Sequence, residues 1–443
     1  MRLWDSATTR VNDAILAFTV GDDPERDLAL LPYDCLASAA HADMLHGIGL
    51  LSDKDRSDLF GALGEAYQLA RAGKLPIATE QEDGHTALEA FLTEKVGEAG
   101  RKIHTGRSRN DQVIAALRLY ARDALLEIAD ASVALASVLI DRGREHAATL
   151  MPGYTHTRQA MPSTVGQLLF ATGEGLIRDI DALILALGHA NRSVLGSASG
   201  YGVPLPLDRQ RVSDSLGHLE LDLNSVFVQN SRGRFEGVVL FALHQISMTL
   251  SRLASDLILF SSEQFGFFEL PVDLTTGSSI MPQKRNPDVL ELVRAVPASL
   301  LGRYAEVTGL LQGLGAGYHR DLQRTKAPLM DGLEDSRNVL AVMQLAVERL
   351  GVNKEACAAA LGDGIYQTDA VYAHVRGGEA FREAYRKVKE SPQARIDHDE
   401  LLRTRVHEGV PGTDQSEPLR RGLERIQEGL APHRARPVSL GKA

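Results

Sequence analysis

TTGSSIMPQKRNPDVLEL, Thr275–Leu292, is a Gly-Ser turn that delivers a lysine and an asparagine into the start of a helix. Asn286 is placed as the N-cap, Pro287 at the first helical position and Asp288 against the positive helix end. Gly277 lets the backbone approach a ligand closely, Ser278 and Ser279 bring hydroxyls, and Lys284 adds a full positive charge near N–H groups that the helix leaves unpaired. The segment therefore reads as an anion site that seats a carboxylate beside a serine. A flexible linker before an ordinary capped helix would explain a lone Gly-Ser-Ser equally well.

On either side the chain is helical. From Asn110 onward, Val113, Leu117, Tyr120, Ala124, Ile128, Ala131, Leu135 and Val138 recur at three- and four-residue steps, which predicts a buried helix running past 30 residues. A break at MPGYTHTRQAMP (151–162) precedes a second long helix over about 163–194. The Gly/Ser loop GSASGYGVPLP separates it from a third over about 235–265, the fourth begins at Asn286, and the fifth covers about 328–349. Five such helices predict an all-α bundle. The division expected is an N-terminal helical domain over 1–106, the central bundle over 107–350 and a small helical domain over 351–443 that ends in a loose tail, RPVSLGKA. The N-terminal part carries Leu36, Ala40, Met44 and Ile48 on one helix face. Apolar residues on more than one face of the central helices predict burial against further copies of the chain.

The bulk composition narrows the partners. At 443 residues the chain exceeds one ordinary core, and few aromatics beside abundant Leu and Ala favour helices. A formal net charge of −10 argues against nucleic acid or an anionic membrane as the main partner. Cys35 and Cys357 are too few for a disulfide framework and fit a reducing compartment. MRLWDSATTR has no apolar core of signal-peptide length, and no later segment offers about 18 uninterrupted apolar residues, so a cytoplasmic protein is expected. His41 and His46 lack zinc spacing and read as ordinary helix-surface histidines; neither metal nor cofactor is expected.

Four further segments carry chemistry. In QEDGHTALEAFLTEKVG (81–97), Glu82 and Asp83 sit where a helix begins and taken alone are a capping device, with His85 a surface residue. In RKIHTGRSRNDQV (101–113), Arg107 and Arg109 flank Ser108 in a Gly-containing turn, and Asn110 and Asp111 open a long helix, a set suited to bidentate binding of carboxylates. GYTH places Thr155 and His156 on the break between helices, where side chains point into a cleft. GLGAGYHRDLQRTK (313–326) lacks the strand-before, helix-after context of a nucleotide fingerprint; taken alone it is a simple loop, with Lys326 a solvated charge.

GSSIMPQKRN (277–286) resembles the signature loop of the fumarase/aspartase superfamily, whose members eliminate or add a group across a succinyl unit to give or use fumarate. EDGHTALE with HTGRSRNDQV is similar to the corresponding segments of the argininosuccinate lyases, which split argininosuccinate into arginine and fumarate in arginine biosynthesis. The resemblance implies a three-domain fumarase/aspartase-type fold, with Asp369 and FREAYRKV in the third domain, and a homotetramer whose active sites are each assembled from three subunits. It further implies Ser278 as the base, Lys284 and Asn286 at the substrate carboxylate, Thr155 as a carboxylate binder, His156 as general acid and Glu291 as the group that orients it. His85, Arg109 and Asn110 would also bind substrate, with Tyr318, Gln323 and Lys326 at the amino-acid end. Three departures stand out. Trp4 is followed by Asp5, Ser6 and Ala7 where the family has a Trp-Gly-Gly-Arg-Phe run, NSRGRFE puts Gly233 in place of the family's single arginine, and Glu379-Ala380 replaces a Val-Pro. Asp22, Asp23 and Asp27 read as a solvated acidic loop, with contact to a guanidinium the alternative. These departures leave a second reading, another carbon-nitrogen lyase that releases fumarate from a different N-succinylated amine or amino acid.

Overall fold

The computed structural model describes residues 12–391, 396–435 and 440. The Trp4–Ala7 departure lies outside the described residues, as does the C-terminal tail apart from Leu440.

The first helices are α1 (Asp13–Val20), α2 (Asp23–Gly47), α3 (Asp53–Arg71), α4 (Gly84–Val96) and α5 (Glu98–Lys102). Pro24 lies in the first turn of α2, where its missing N–H removes no bond, and α3 starts on a capping box between Ser52 and Asp55. Leu36, Ala40 and Met44 are buried as their spacing predicts, while α2 ends at Gly47 and leaves Ile48 as its C-cap. The apolar faces of α2, α3 and α4 close on one core with Ile114 and Leu119 of the next helix. His41 lies inside that core, fully buried, with Nε2 2.9 Å from the Thr105 carbonyl oxygen. It is thus not a surface histidine: burial depresses its pKa well below the ordinary value, aided by the Arg107 charge, and leaves it neutral.

The central bundle consists of α6 (Arg109–Glu145), α7 (Val165–Ala190), α10 (Arg234–Phe260), α11 (Asp288–Leu310) and α12 (Lys326–Glu348), with the short α8 (Arg209–Ser215) and α9 (Ser225–Asn230) between α7 and α10. Ser108 caps α6, accepting from the Asn110 N–H at 3.3 Å while its own N–H donates to Asp111 at 2.9 Å. At 37 residues α6 is the bundle's axis, and residues 114–119 are buried all round because α2, α7 and α12 pack against it from different sides. The second helix stops at Ala190, earlier than its pattern suggests, because Arg192–Ser193 (β3) pairs with Glu220–Leu221 (β4). The third stops at Phe260, since the chain turns and stacks Phe265 and Phe267 back on that ring at 5.6 and 5.4 Å.

The break after α6 is a β-hairpin, β1 (Leu150–Thr155) with β2 (Arg158–Thr164). Two more two-stranded pieces, β5 (Phe268–Glu269) with β8 (Gly351–Val352) and β6 (Thr276–Gly277) with β7 (Arg285–Asn286), are clasps on an otherwise helical fold. The C-terminal part comprises α13 (Lys354–Ala359), α14 (Gln367–Arg376), α15 (Phe381–Glu390), α16 (His398–Arg403) and α17 (Ser416–Leu430). Ala380 is extended, so α15 opens at Phe381. Asp369 in α14 is tied to Arg405 at 2.8 Å. Leu423, Ile426 and Leu430 of α17 return to the bundle and join the core of α6 and α7.

Where α6 and α7 cross, Gly143 and Gly166 face each other: a Cβ on Gly166 would stand 2.5 Å from the Gly143 carbonyl oxygen and 2.6 Å from the Ala147 Cα. Backbone cannot yield as a flexible side chain does. Gly166→Ala is therefore expected to destabilise the fold by about 1–3 kcal/mol despite alanine's better helix propensity, read as a lower midpoint in urea.

Candidate active site

One group of the expected site residues gathers where α2, α4, α6 and α12 meet. Lys326, at the first position of α12, is 2% exposed, and its Nζ donates to Asp23 at 2.8 Å and Asp27 at 2.6 Å. Asp27 is buried too, and its other oxygen accepts the Gly84 N–H at 2.9 Å, tying α12 to the start of α4. Gln323 donates to the Thr19 carbonyl at 3.1 Å and to the Asp23 carboxylate. Burial raises the Asp23 carboxyl above its ordinary value, outweighing the pull of Lys326. Neither the solvated charge expected for Lys326 nor the solvated acidic loop expected for Asp23 and Asp27 is present: once α2 begins at Asp23, both carboxylates face α12. A cleft of about 730 Å³ opens beside them, lined by Thr19, Asp23, Arg26, Arg320, Gln323 and Lys326.

The same junction holds His85. Far from being a surface residue it is 7% exposed, and its Nδ1 lies 2.7 Å from the Asp34 carboxylate of α2. Burial alone would lower the imidazole pKa; the charge and hydrogen bond of Asp34 outweigh it and push it up to about 9. Burial likewise works against the Asp34 carboxylate, but His85, Arg107 and Ser38 hold it below the ordinary range. The signs fix a pH window. The raised His85 contributes stability that is complete below its unfolded value near 6.5 and is lost as pH rises through about 9. The depressed Asp34 contributes stability above its ordinary 3.8 that is lost as pH falls through its lower folded value. Thermal midpoints are expected to fall between neutral pH and pH 9, and Asp34→Asn to flatten that alkaline limb; an unchanged limb counts against a charged pair.

Arg109 completes this side, its Nη1 at 3.1 Å from Glu82 and its Nη2 donating to Thr86 at 2.8 Å. Asp83 caps α4, as its position suggests, accepting from the Thr86 N–H at 2.8 Å. Asn110 is half-buried in the first turn of α6. Tyr318 is half-buried with Arg232 over its ring at 6.0 Å.

Thr155 and His156 occupy a second place, exposed at the hairpin tip. The two-residue turn puts His156 at φ 52° and Thr157 at φ 59°. Such turns favour Asn-Gly, and a β-branched residue there is strained by about 1–3 kcal/mol. The backbone thus holds the imidazole out from the bundle at a cost in stability, rather than in the helix-break cleft expected from the sequence.

The third place is the loop 276–291. Thr276 and Gly277 pair with Asn286 and Arg285, which pinches residues 278–284 into a closed loop. Asn286 therefore lies in a strand, and the helix starts two residues later at Asp288 with Pro287 as its N-cap, correcting the expected cap. Asp288 turns back to accept from the Thr276 hydroxyl, which fastens the loop to the helix. The Ser278 Oγ accepts two backbone N–H groups, from Ile280 at 3.3 Å and Met281 at 3.1 Å. Lys284 and Glu291 are exposed. Among the described residues no hydrogen bond or ion pair joins this loop to the hairpin tip or to the Lys326 group.

The family model described as Lyase matches residues 14–302. The argininosuccinate lyase of Sorangium cellulosum is 43% identical over 427 residues, covering 96% of this chain and 99% of that protein. That of Thermotoga neapolitana is 41% identical, covering 88% and 98%. The chain belongs to the argininosuccinate lyase family. It is accordingly a lyase, and solved structures agree in fold: EDDS lyase in complex with formate superposes with a TM-score of 0.76 at 24% identity, covering 96% of this chain and 92% of that one. The class II fumarase of Schistosoma mansoni gives 0.73 at 17%, covering 93% and 97%.

Sequence reasoning passed over Asp34 and named Asp27, Asp111 and Arg232 without their partners in this lyase's site. Asp34 and Asp27 are spaced seven apart on α2, two helical turns, which puts both on the face that meets α4 and was the signal available. Asp111 holds the loop after α7 by accepting the N–H groups of Gly196 at 3.0 Å and Ala198 at 2.8 Å. Its burial raises its carboxyl pKa to about 6. Arg232 donates to the Leu322 carbonyl at 2.8 Å and so fixes the segment that carries Tyr318 and Gln323.

Proposed function

We propose that this chain catalyses the reversible elimination of argininosuccinate to L-arginine and fumarate. The observation that carries the mechanism is the pair of N–H groups on the Ser278 Oγ. Hydrogen bonds donated to the charged form of a hydroxyl lower its pKa, and two backbone donors with Lys284 nearby favour an alkoxide that serves as base. Ser278 takes the Cβ proton; the electron pair passes into the adjacent carboxylate as an aci-carboxylate, stabilised by Lys284, Asn286 and the loop's N–H groups. The pair then returns to form the carbon-carbon double bond as the carbon-nitrogen bond breaks, and His156, oriented by Glu291, protonates the departing guanidino nitrogen. Thr155 binds a substrate carboxylate. His85, Arg109, Asn110, Tyr318, Gln323 and Lys326 hold the remainder of the substrate, with Asp23 and Asp27 keeping the Lys326 ammonium in place.

The absence, among the described residues, of a hydrogen bond or ion pair joining the three groups within one chain supports a homotetramer with sites shared among three subunits. Exposed Leu292 and Leu301 on α11, with Phe241 and Met248 on α10, supply the apolar surface such an assembly buries. The small apolar cluster of Ala370, Val371, Ala384 and Val388 supports a C-terminal unit after 350, and the packing of α2, α3 and α4 on one another supports an N-terminal unit to about 106, although its core also takes in Ile114, Leu119 and Val228. Two buried free cysteines and the acidic surface fit the cytoplasm.

The discriminating assay follows fumarate absorbance with argininosuccinate, aspartate, adenylosuccinate and malate as substrates. Turnover of argininosuccinate alone is the expected result; activity confined to one of the others overturns the assignment. Inactive Ser278→Ala and His156→Gln chains, refolded together, are expected to recover part of the activity through mixed sites, whereas no recovery argues that one chain builds each site.

A further inference from the structure

The end of α7, the start of α10 and the N-terminal part of α6 line a cavity of about 380 Å³. Its polar lining is basic: Arg118, Arg192, Arg234 and His189 face it, against one carboxylate, Asp222, and the Ser231 hydroxyl. Arg118 is 1% exposed; it is anchored to Asp222 at 2.9 Å and Ser231 at 2.7 Å and lies over the Phe235 ring at 5.3 Å, while its buried Nε has no partner. Arg192 is held by Asp222 at 2.8 Å and by Glu220. Among the described residues no carboxylate pairs with Arg234. The three guanidiniums also converge on His189: after burial, the charges of Arg192, Arg118 and Arg234 are what depress its pKa.

The apolar lining is exposed at the rim, with Leu185 62% and Phe227 43% accessible. Beyond it the outer face of α7 carries Glu174, Arg178 and Asp181, in contrast to the apolar outer face of α11. The expected site residues do not line this cavity, and NSRGRFE divides the two: Ser231 turns to Arg118, whereas Arg232 turns to Leu322 and Tyr318.

We propose that this cavity is a second binding site, for a small organic anion whose carboxylate or phosphate sits on Arg234 and Arg118 and whose carbon skeleton lies against Phe227 and Leu185. Excess positive charge beside an unpaired, buried guanidinium N–H recognises an oxyanion, and the rim's apolar side chains distinguish an organic anion from an inorganic one.

Isothermal titration of the full-length protein with citrate, phenyl phosphate and inorganic phosphate, in the presence of saturating fumarate, tests this. Saturable binding of citrate or phenyl phosphate is expected, tighter than that of inorganic phosphate, and which of the two binds better identifies the anionic group. Arg234→Gln, at an exposed position, is expected to weaken it by about 10-fold to 100-fold. Gly188→Glu is a second variant: nothing lies within 4 Å of a Cβ there, so a carboxylate enters the mouth and competes with the ligand without disturbing the helix. No saturable binding of either organic anion, loss of binding on adding fumarate, or binding unchanged in both variants overturns the proposal.

Discussion

Ser278→Ala is expected to lower kcat for arginine release by about 10²–10⁴-fold, the range for loss of a positioned proton-transfer group, with KM little changed. The Ser278 Oγ is an acceptor of two backbone N–H groups at the tip of a loop pinched shut by β6 and β7. Alanine removes the oxygen and leaves those N–H groups to water, which the loop's exposure permits, so the fold should be unaffected. If Ser278 only ties the turn together, the loss will appear in stability and KM instead. Proton exchange at the substrate Cβ in labelled water separates the two outcomes: it disappears with the base and survives a merely loosened loop.

The second large effect is on stability. Lys326→Met leaves Asp27 buried without its counter-charge and Asp23 half-compensated, and breaking a buried ion pair from one side is expected to cost about 3–5 kcal/mol, read from urea denaturation. Adding Asp27→Asn removes the orphaned charge, and most of that stability should return. Activity should not, because the ammonium itself is proposed to meet the substrate. A double variant that recovers both would show that Lys326 is a structural cation only.

The helical periodicity carried most of the fold. The five bundle helices lie where their three- and four-residue apolar spacing put them, because burial on one or more faces leaves a regular imprint. Their ends were less legible, being set by contacts distant in sequence: the ring of Phe260 that receives Phe265 and Phe267, or the pairing of Arg192–Ser193 with Glu220–Leu221. The site followed the same rule. Ser278, Lys284 and Glu291 were legible as a local motif, whereas the burial of Lys326 and His85 was not, because their partners Asp27 and Asp34 stand 299 and 51 residues away. The hairpin at His156 was read as an irregular break, since its turn lacks the Asn-Gly signature and takes positive φ at two residues that resist it.

The return of α17 to the bundle has a consequence for synthesis. Leu423, Ile426 and Leu430 fill the seam between α6 and α7, so that seam stays open to water until α17 has left the ribosome. The helices translated early must wait, partly wet, for one translated long after them. A nascent chain stalled before residue 416 should therefore be the species that chaperones hold and proteases cut.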